Sequence, residues 1–383
     1  MIPLSVPNFQ GNELKYVTEA VREGWVSTGG SYIKKMEEQV SQFLKISHAA
    51  ACQSGTAALH LSLLECGVQA GELVIAPTLT FIAAVNPIRY IGADPVFMDC
   101  DDSLCMDADK LGQFCEFECR LTQEGLKHIG TGKRIRAVVV VHVFGNLADM
   151  EAIMDVADKY RLKVVEDATE ALGTRYRKGR FQDRFAGTIG DFGAYSFNGN
   201  KIITTGGGGM VVAKDPQKLA HIRYLSVQAK NDGGFYCHDE VGYNYRMTNV
   251  QAAIGVAQME MLPEFIRRKN MNYDRYCSCL QTFERGELMR FREGTYANKW
   301  FYSLHLYERH PDRSKIICGF DEAGIQTRAI WGLIHMQKPY LRCITYQIEK
   351  AEYYSEHIIN LPCSTNLQER QIVEICDYIK KNL

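Results

Sequence analysis

Four short apolar runs in the first half of the chain restrict its fold more than any other feature. They are 73–76 (LVIA), 95–98 (PVFM), 137–144 (AVVVVHVF) and 162–165 (LKVV), each ending at polar, glycine or proline residues. Runs of this length with no regular polar alternation suit strands buried on both faces, as in a parallel sheet covered by helices. Between the third and fourth lies 149–160 (DMEAIMDVADKY), whose apolar residues recur at helical spacing. Residues 33–45 place Ile33, Met36, Val40 and Phe43 on one helical face, and 56–66 reads as a helix opening at the turn Ser54-Gly55-Thr56. Strand and helix patterns that alternate in this way predict an α/β domain.

After about Val250 the pattern changes. Residues 250–280 read as one long helix, 298–307 (NKWFYSLHLY) alternate like a strand, and 314–323 and 368–382 read as helices. A chain of 383 residues exceeds what one core commonly supports, so a division is expected. The predicted fold class is therefore α/β: a mostly parallel central sheet flanked by helices over residues 1–250, and a smaller C-terminal α+β domain over 251–383.

Composition removes several function classes. With 44 basic and 45 acidic side chains the net charge is −1, which provides no electrostatic footprint for nucleic acid or an anionic membrane. No uninterrupted apolar stretch of about 18 residues predicts a membrane span. The first residues, Met1 to Lys15, lack a basic segment followed by an apolar one, so no signal peptide is expected. The thirteen cysteines show no C-x-x-C pair and read as reduced thiols of a cytoplasmic protein. No spacing of Cys, His and acidic residues points to a metal.

Ligands of open parallel sheets sit at the carboxyl ends of strands. Asp167 follows Lys163-Val164-Val165-Glu166 at such an end, where an acid serves equally well as a helix cap. Ser54-Gly55-Thr56 opens a helix, where free N–H groups favour an anion, although plain N-capping explains the same residues. Lys201 is more informative. It lies in a weakly charged segment, Phe192 to Val212, just before the run Gly206 to Gly209. There a lysine of perturbed acidity is plausible. The glycines follow the lysine, so this is no Walker loop. A phosphate site at a helix start, an acid at a strand end and a buried lysine are the parts that pyridoxal phosphate (PLP) requires. Each is weak alone; together and in this order they are much stronger.

In these segments the chain resembles the DegT/DnrJ/StrS family of fold-type I, PLP-dependent nucleotide-sugar aminotransferases. The matching residues run from about Ile2 to Leu367. They include Ser54-Gly55-Thr56-Ala57-Ala58-Leu59, Pro77-Thr78-Leu79-Thr80-Phe81 with Asn86, Glu166-Asp167-Ala168, Ser196-Phe197 with Lys201, Thr204-Thr205 with the glycine run, and Gly242-Tyr243-Asn244-Tyr245-Arg246. The resemblance implies roles. Lys201 would be the Schiff-base lysine and proton shuttle, and Asp167 would hold the pyridine nitrogen protonated. Phe81 would stack on the ring. Thr56, the backbone from Gly55 to Ala57, and Ser196 would bind phosphate. Asn244 would reach the phosphate of a neighbouring subunit's cofactor, which implies a homodimer with shared sites. Glu170 and Asn198 would also border the cofactor; many members have His or Gln at the first and His at the second.

The implied reaction moves an amino group from L-glutamate to a keto-sugar nucleotide. Thr327-Arg328, His335-Met336-Gln337-Lys338-Pro339-Tyr340 and Leu361 to Leu367 look like the branch that aminates C4 of UDP-4-keto-6-deoxy-N-acetylglucosamine. Arg328, His335 and Thr28, in the loop Trp25 to Gly30, would border the sugar nucleotide. An arginine suits a diphosphate, and equally a surface ion pair. The alternatives are the same chemistry on another GDP- or dTDP-linked sugar, at C3 or C4, and a non-catalytic PLP-binding regulatory protein.

Overall fold

The structure, a computed structural model, describes residues 1–231, 234–309 and 312–383. Helices α1 (Glu13–Arg22) and α2 (Ser31–Leu44) precede β1 (Ala49–Cys52) and α3 (Gly55–Glu65). Next come β2 (Leu73–Pro77), α4 (Asn86–Tyr90), β3 (Asp94–Met98), α5 (Ala108–Phe117), β4 (Cys119–Thr122), β5 (Gly125–His128) and β6 (Arg134–Val141). They are followed by α6 (Met150–Tyr160), β7 (Lys163–Asp167), β8 (Arg175–Tyr176), β9 (Phe192–Ser196), β10 (Gly209–Ala213) and α7 (Pro216–Ser226). The long helix α8 (Asn249–Cys279) leads to β11 (Gly286–Leu288), β12 (Thr295–Tyr296), β13 (Tyr302–Leu306) and α9 (Arg313–Glu322). The chain closes with β14 (Arg328–Ala329), β15 (Ile344–Tyr346), α10 (Lys350–His357), β16 (Ile358–Leu361) and α11 (Glu369–Asn382).

Ten strands make one sheet, ordered β1-β10-β9-β7-β6-β2-β3-β15, with the hairpin β4–β5 attached to β6. From β9 to β15 every neighbouring pair is parallel, while β1 and β10 are antiparallel. The apolar runs explain the parallel part: β2 is buried at every position, and so are the last five residues of β6. Parallel strands place all their carboxyl ends on one edge, and there Thr78, Asp99, His142 and Asp167 follow or end β2, β3, β6 and β7. A second sheet, β11-β13-β16-β14, carries the later part of the chain. Residues from beyond 250 also enter the large sheet, because β15 pairs with β3. Among the described residues no helix is long and apolar enough to cross a membrane. Eight of the thirteen cysteines are buried, packing as small apolar groups.

Two expectations need correction. The run 137–144 does not remain a strand to its end: β6 stops at Val141 and residues Val143–Gly145 form a tight turn with Phe144 at φ 55°. The alternation read over 298–307 becomes strand only from Tyr302, because Asn298 and Trp300 spend their polar groups on the sheet's carboxyl edge instead. The long helix formed as expected. Thr248 and Gln251 close a capping box at its start, and Pro263 lies inside without ending it.

Candidate active site

The register of the parallel strands sets the acids of the site. Val141 of β6 faces Asp167 of β7, and Val140 faces Glu166. Successive strand residues point to opposite faces. Glu166 therefore turns away from Asp167, and it accepts from His142 Nε2 (2.8 Å) and from the N–H groups of Gly187, Ile189 and Gly190. His142 Nδ1 accepts from the Ala148 N–H at 3.2 Å, so the ring is held with its proton on Nε2. Asp167 is also buried, but among the described residues its side chain has Thr169 as its hydrogen-bonding neighbour, whose N–H donates at 3.0 Å.

Lys201 meets this edge from the segment after β9. Its Nζ lies 3.4 Å from Glu170 Oε1 and 4.0 Å from the ring centre of Trp300. The second Glu170 oxygen accepts the Phe144 N–H at 2.8 Å. Burial pushes Asp167 above the usual carboxylate range, against the opposing pull of Thr169 and Lys201. Burial raises Glu170 too, against Lys201 and the Phe144 N–H. Two buried carboxyl groups thus share one ammonium. The shortage is one positive charge beside Asp167, which is what a protonated pyridine nitrogen supplies.

An anion cradle lies next to it. Ser54 caps α3 by accepting the Ala57 N–H at 3.0 Å. That takes one of the three N–H groups expected to face phosphate and leaves those of Gly55 and Thr56. A Cβ at Gly55 would stand 2.9 Å from both Ser196 Cβ and Thr169 Cγ2, so helix start, Ser196 and the Asp167 loop are in close contact. The donor set, the acid and the lysine fit PLP. A Gly55→Ala variant must push Ser196 or Thr169 aside, and overpacking costs about 1–3 kcal/mol. It is expected to weaken cofactor binding by about tenfold, measured by titrating the apoprotein with PLP.

The remaining residues are more scattered. Phe81 is 55% exposed on the loop after β2. Asn198 is exposed, and its side chain bonds Asn200 at 3.5 Å. His335 Nδ1 lies 2.6 Å from Thr78 Oγ1, which brings the turn after β14 to the end of β2; burial lowers the ring's proton affinity. Arg328 is exposed on β14 and, among the described residues, makes no side-chain hydrogen bond or ion pair. Thr28 is exposed in a loop pinned by Asn249, which donates to Trp25 O at 2.7 Å. Asn244 is exposed and bridges Val227. Trp300, Asn298, Phe144 and Thr169 were not anticipated. Only Trp300 carried a visible signal, as one of three tryptophans in a stretch that read merely as strand.

Comparison with known proteins agrees with this geometry. A GDP-perosamine synthase of Caulobacter vibrioides is 35% identical, over 97% of this chain and 95% of its own. A GDP-perosamine synthase of Escherichia coli O157:H7 is 34% identical, over 99% and 98%. The solved aminotransferase TlmJ of Streptoalloteichus hindustanus superposes with a TM-score of 0.87 at 26% identity, covering 100% of this chain and 98% of that one. Spr1654 of Streptococcus pneumoniae, solved in a PLP form, gives 0.88 at 25% identity over 99% and 98%. Residues 7–380 match one family across nearly the whole chain. With that match, the chain belongs to the DegT/DnrJ/EryC1/StrS aminotransferase family and is a PLP-dependent transaminase.

Proposed function

We propose that this transaminase moves an amino group from L-glutamate to the C4 keto group of a nucleotide-linked 4-keto-6-deoxy sugar, with Lys201 as its acid–base and cofactor-bearing residue. The observation that carries the reading is the half-buried ammonium of Lys201, set against the buried carboxylate of Glu170 at the carboxyl edge of the sheet. When bound, the cofactor supplies an electron sink for the carbon that loses its proton. The chain's own groups do the rest. As the neutral amine, Lys201 Nζ accepts the Cα proton of the donor, and in the second half it returns a proton to the sugar carbon that receives nitrogen. Asp167, acceptor-only and short of donors, holds the proton on the ring nitrogen. The N–H groups of Gly55 and Thr56, with Ser196, hold the phosphate, and Phe81 covers the ring.

Residues 1–250 would bear the cofactor and 251–383 would supply Arg328 and His335 to the sugar nucleotide, with Thr28 nearby. The contact of His335 with Thr78 supports that closure. A second copy completes the site in this reading, since Asn244 is exposed and open to a neighbouring cofactor. The exposed side chains of Trp25, Val26, Phe81 and Tyr90 would be covered by that copy.

For the nucleotide, the names of the two full-length relatives support a GDP-linked sugar. The segments Thr327-Arg328 and His335 to Tyr340 support the UDP-linked alternative through their resemblance. One experiment tests both levels. The visible band of the purified protein is expected to convert on adding excess L-glutamate. Competing GDP-, UDP- and dTDP-linked keto sugars should then restore it, the GDP-linked one with kcat/KM at least about tenfold higher, or about 1.4 kcal/mol. Preference for the UDP-linked sugar would overturn the nucleotide assignment. A band that never responds to glutamate would leave a non-catalytic PLP-binding protein.

A further inference from the structure

Among the described residues, Lys201 Nζ pairs with Glu170, on the loop after β7, and lies over Trp300, just before β13. They lie 130 residues apart in sequence, and one side chain ties them together. Asn298 is fully buried. Its Nδ2 donates to Glu170 O at 2.9 Å and to Leu172 O at 3.0 Å, and its Oδ1 accepts the Trp300 N–H at 3.1 Å. Both amide donors and the acceptor are used, so the carboxamide has one orientation: flipped, its oxygen would face two carbonyls. The Asn298 N–H donates to Thr174 Oγ1 at 3.0 Å, and that hydroxyl donates to Gly145 O at 2.8 Å.

Each end of this tie continues to the lysine. At one end, a Cβ on Gly145 would stand 1.9 Å from Asn298 Oδ1, so only glycine, here at φ 86°, lets the turn close on the carboxamide. That turn places the Phe144 N–H against the Glu170 carboxylate. At the other end, Trp300 is held at three further points. Its carbonyl accepts from Lys269 Nζ at 2.7 Å, its Nε1 donates to Asn200 O at 2.8 Å, and its ring lies under Nζ of the next residue, Lys201. Lys269 is buried and also donates to Cys363 O, so the Trp300 backbone is fixed from behind.

We propose that Asn298 is a positioning residue for Lys201: its carboxamide sets the distance between Glu170 and Trp300 and so holds Nζ between an anion and a ring face. This rests on the reading that Lys201 bears the cofactor. A residue needed only for folding could satisfy the Glu170 and Leu172 carbonyls alone. The bond to the Trp300 N–H is the one that links them to the ring beneath the ammonium. A cation over an indole face is stabilised by the ring, the more so when desolvated. Both contacts fix the place of Nζ at the carboxyl edge of the sheet.

The test uses Asn298→Asp in the PLP-loaded protein. The variant has the same shape and still accepts from Trp300, but it loses both donors and sets a carboxylate against two carbonyls. Ile375→Ala is the control, because Ile375 is buried in α11 and its truncation destabilises without touching the site. The readouts are the thermal midpoint and the rate at which L-glutamate converts the visible band. Both variants should melt earlier. Only Asn298→Asp should slow the conversion, by about tenfold, as a displaced Nζ requires. An unchanged rate, or an equal loss in Ile375→Ala, overturns the proposal. Should Asn298→Asp fail to fold, Trp300→Phe removes the Asn200 bond and weakens the ring contact, and its conversion must slow likewise; an unchanged rate again overturns it. Lys201→Ala separates the two levels. A visible band that survives it defeats the cofactor-lysine reading, whereas a band lost there with an unchanged rate in Asn298→Asp defeats only the positioning role.

Discussion

Lys201→Ala is expected to lower turnover by at least about 10⁴-fold and to erase the visible band of the bound cofactor. The size follows from what one atom does. Among the described residues, Nζ is the one ammonium paired with Glu170, and it is the one lysine whose charge acts on both Asp167 and Glu170. Among the described residues, Glu170 accepts from the Phe144 N–H with one oxygen and from Nζ with the other. Removing the cation leaves that oxygen buried against a cavity, so the Glu170 carboxyl should take up a proton more readily still. The measurement is turnover with L-glutamate and the preferred keto sugar, alongside the absorbance spectrum. Turnover within tenfold of the parent would sink the assignment.

Glu166→Ala is expected to remove about 3–5 kcal/mol of stability, read from urea unfolding, with any loss of activity following from that. Beside Asp167, the acid assigned to the cofactor in the proposed function, Glu166 is a structural one. Its carboxylate is completely buried and collects four hydrogen bonds, three from the backbone of 187–190 and one from His142. Alanine would strand three N–H groups and the imidazole away from water. Burial alone would raise this carboxyl, but His142 and the Gly190 and Gly187 N–H groups outweigh it and hold Glu166 below the usual range. A lowered folded value means that the stabilisation is fully present above the unfolded value, about 4.3, and is lost as pH falls through the folded one. Glu166→Gln should therefore be less stable at neutral pH and lose less on acidification. Asp167 and Glu170 have the opposite sign. Their raised values cost stability as pH rises from the ordinary carboxylate value through the raised one.

Much of the architecture could be read from one-dimensional pattern. Runs such as 73–76 and 162–165 are apolar because both faces of a parallel strand are covered, and they became β2 and β7 within a residue or two. The helices at 33–45, 149–160 and 250–280 formed where their spacing placed them. Other strands carried no such mark. β1 is Ala-Ala-Ala-Cys and β9 contains Gly193, so pairing to buried neighbours, not propensity, makes them strands. Residue 144 reads as the end of a strand, yet the turn that feeds Glu170 needs it in the left-handed region.

The sequence by itself determined the layered α/β class, the family, and the candidates Lys201, Asp167 and the Ser54 to Ala57 helix start. Each of these is local: a periodicity, a capping residue, a short ordered set of segments. The tertiary structure alone decided that Glu170 is the partner of Lys201, that Trp300 lies beneath it, and that Asn298 joins the two. It also separated Glu166 from Asp167, adjacent acids with opposite duties, by setting them on opposite faces of one strand. The reason is physical. A hydrogen bond between residues 170 and 298 depends on how a sheet edge and a distant loop approach, and no pattern within either segment encodes that distance.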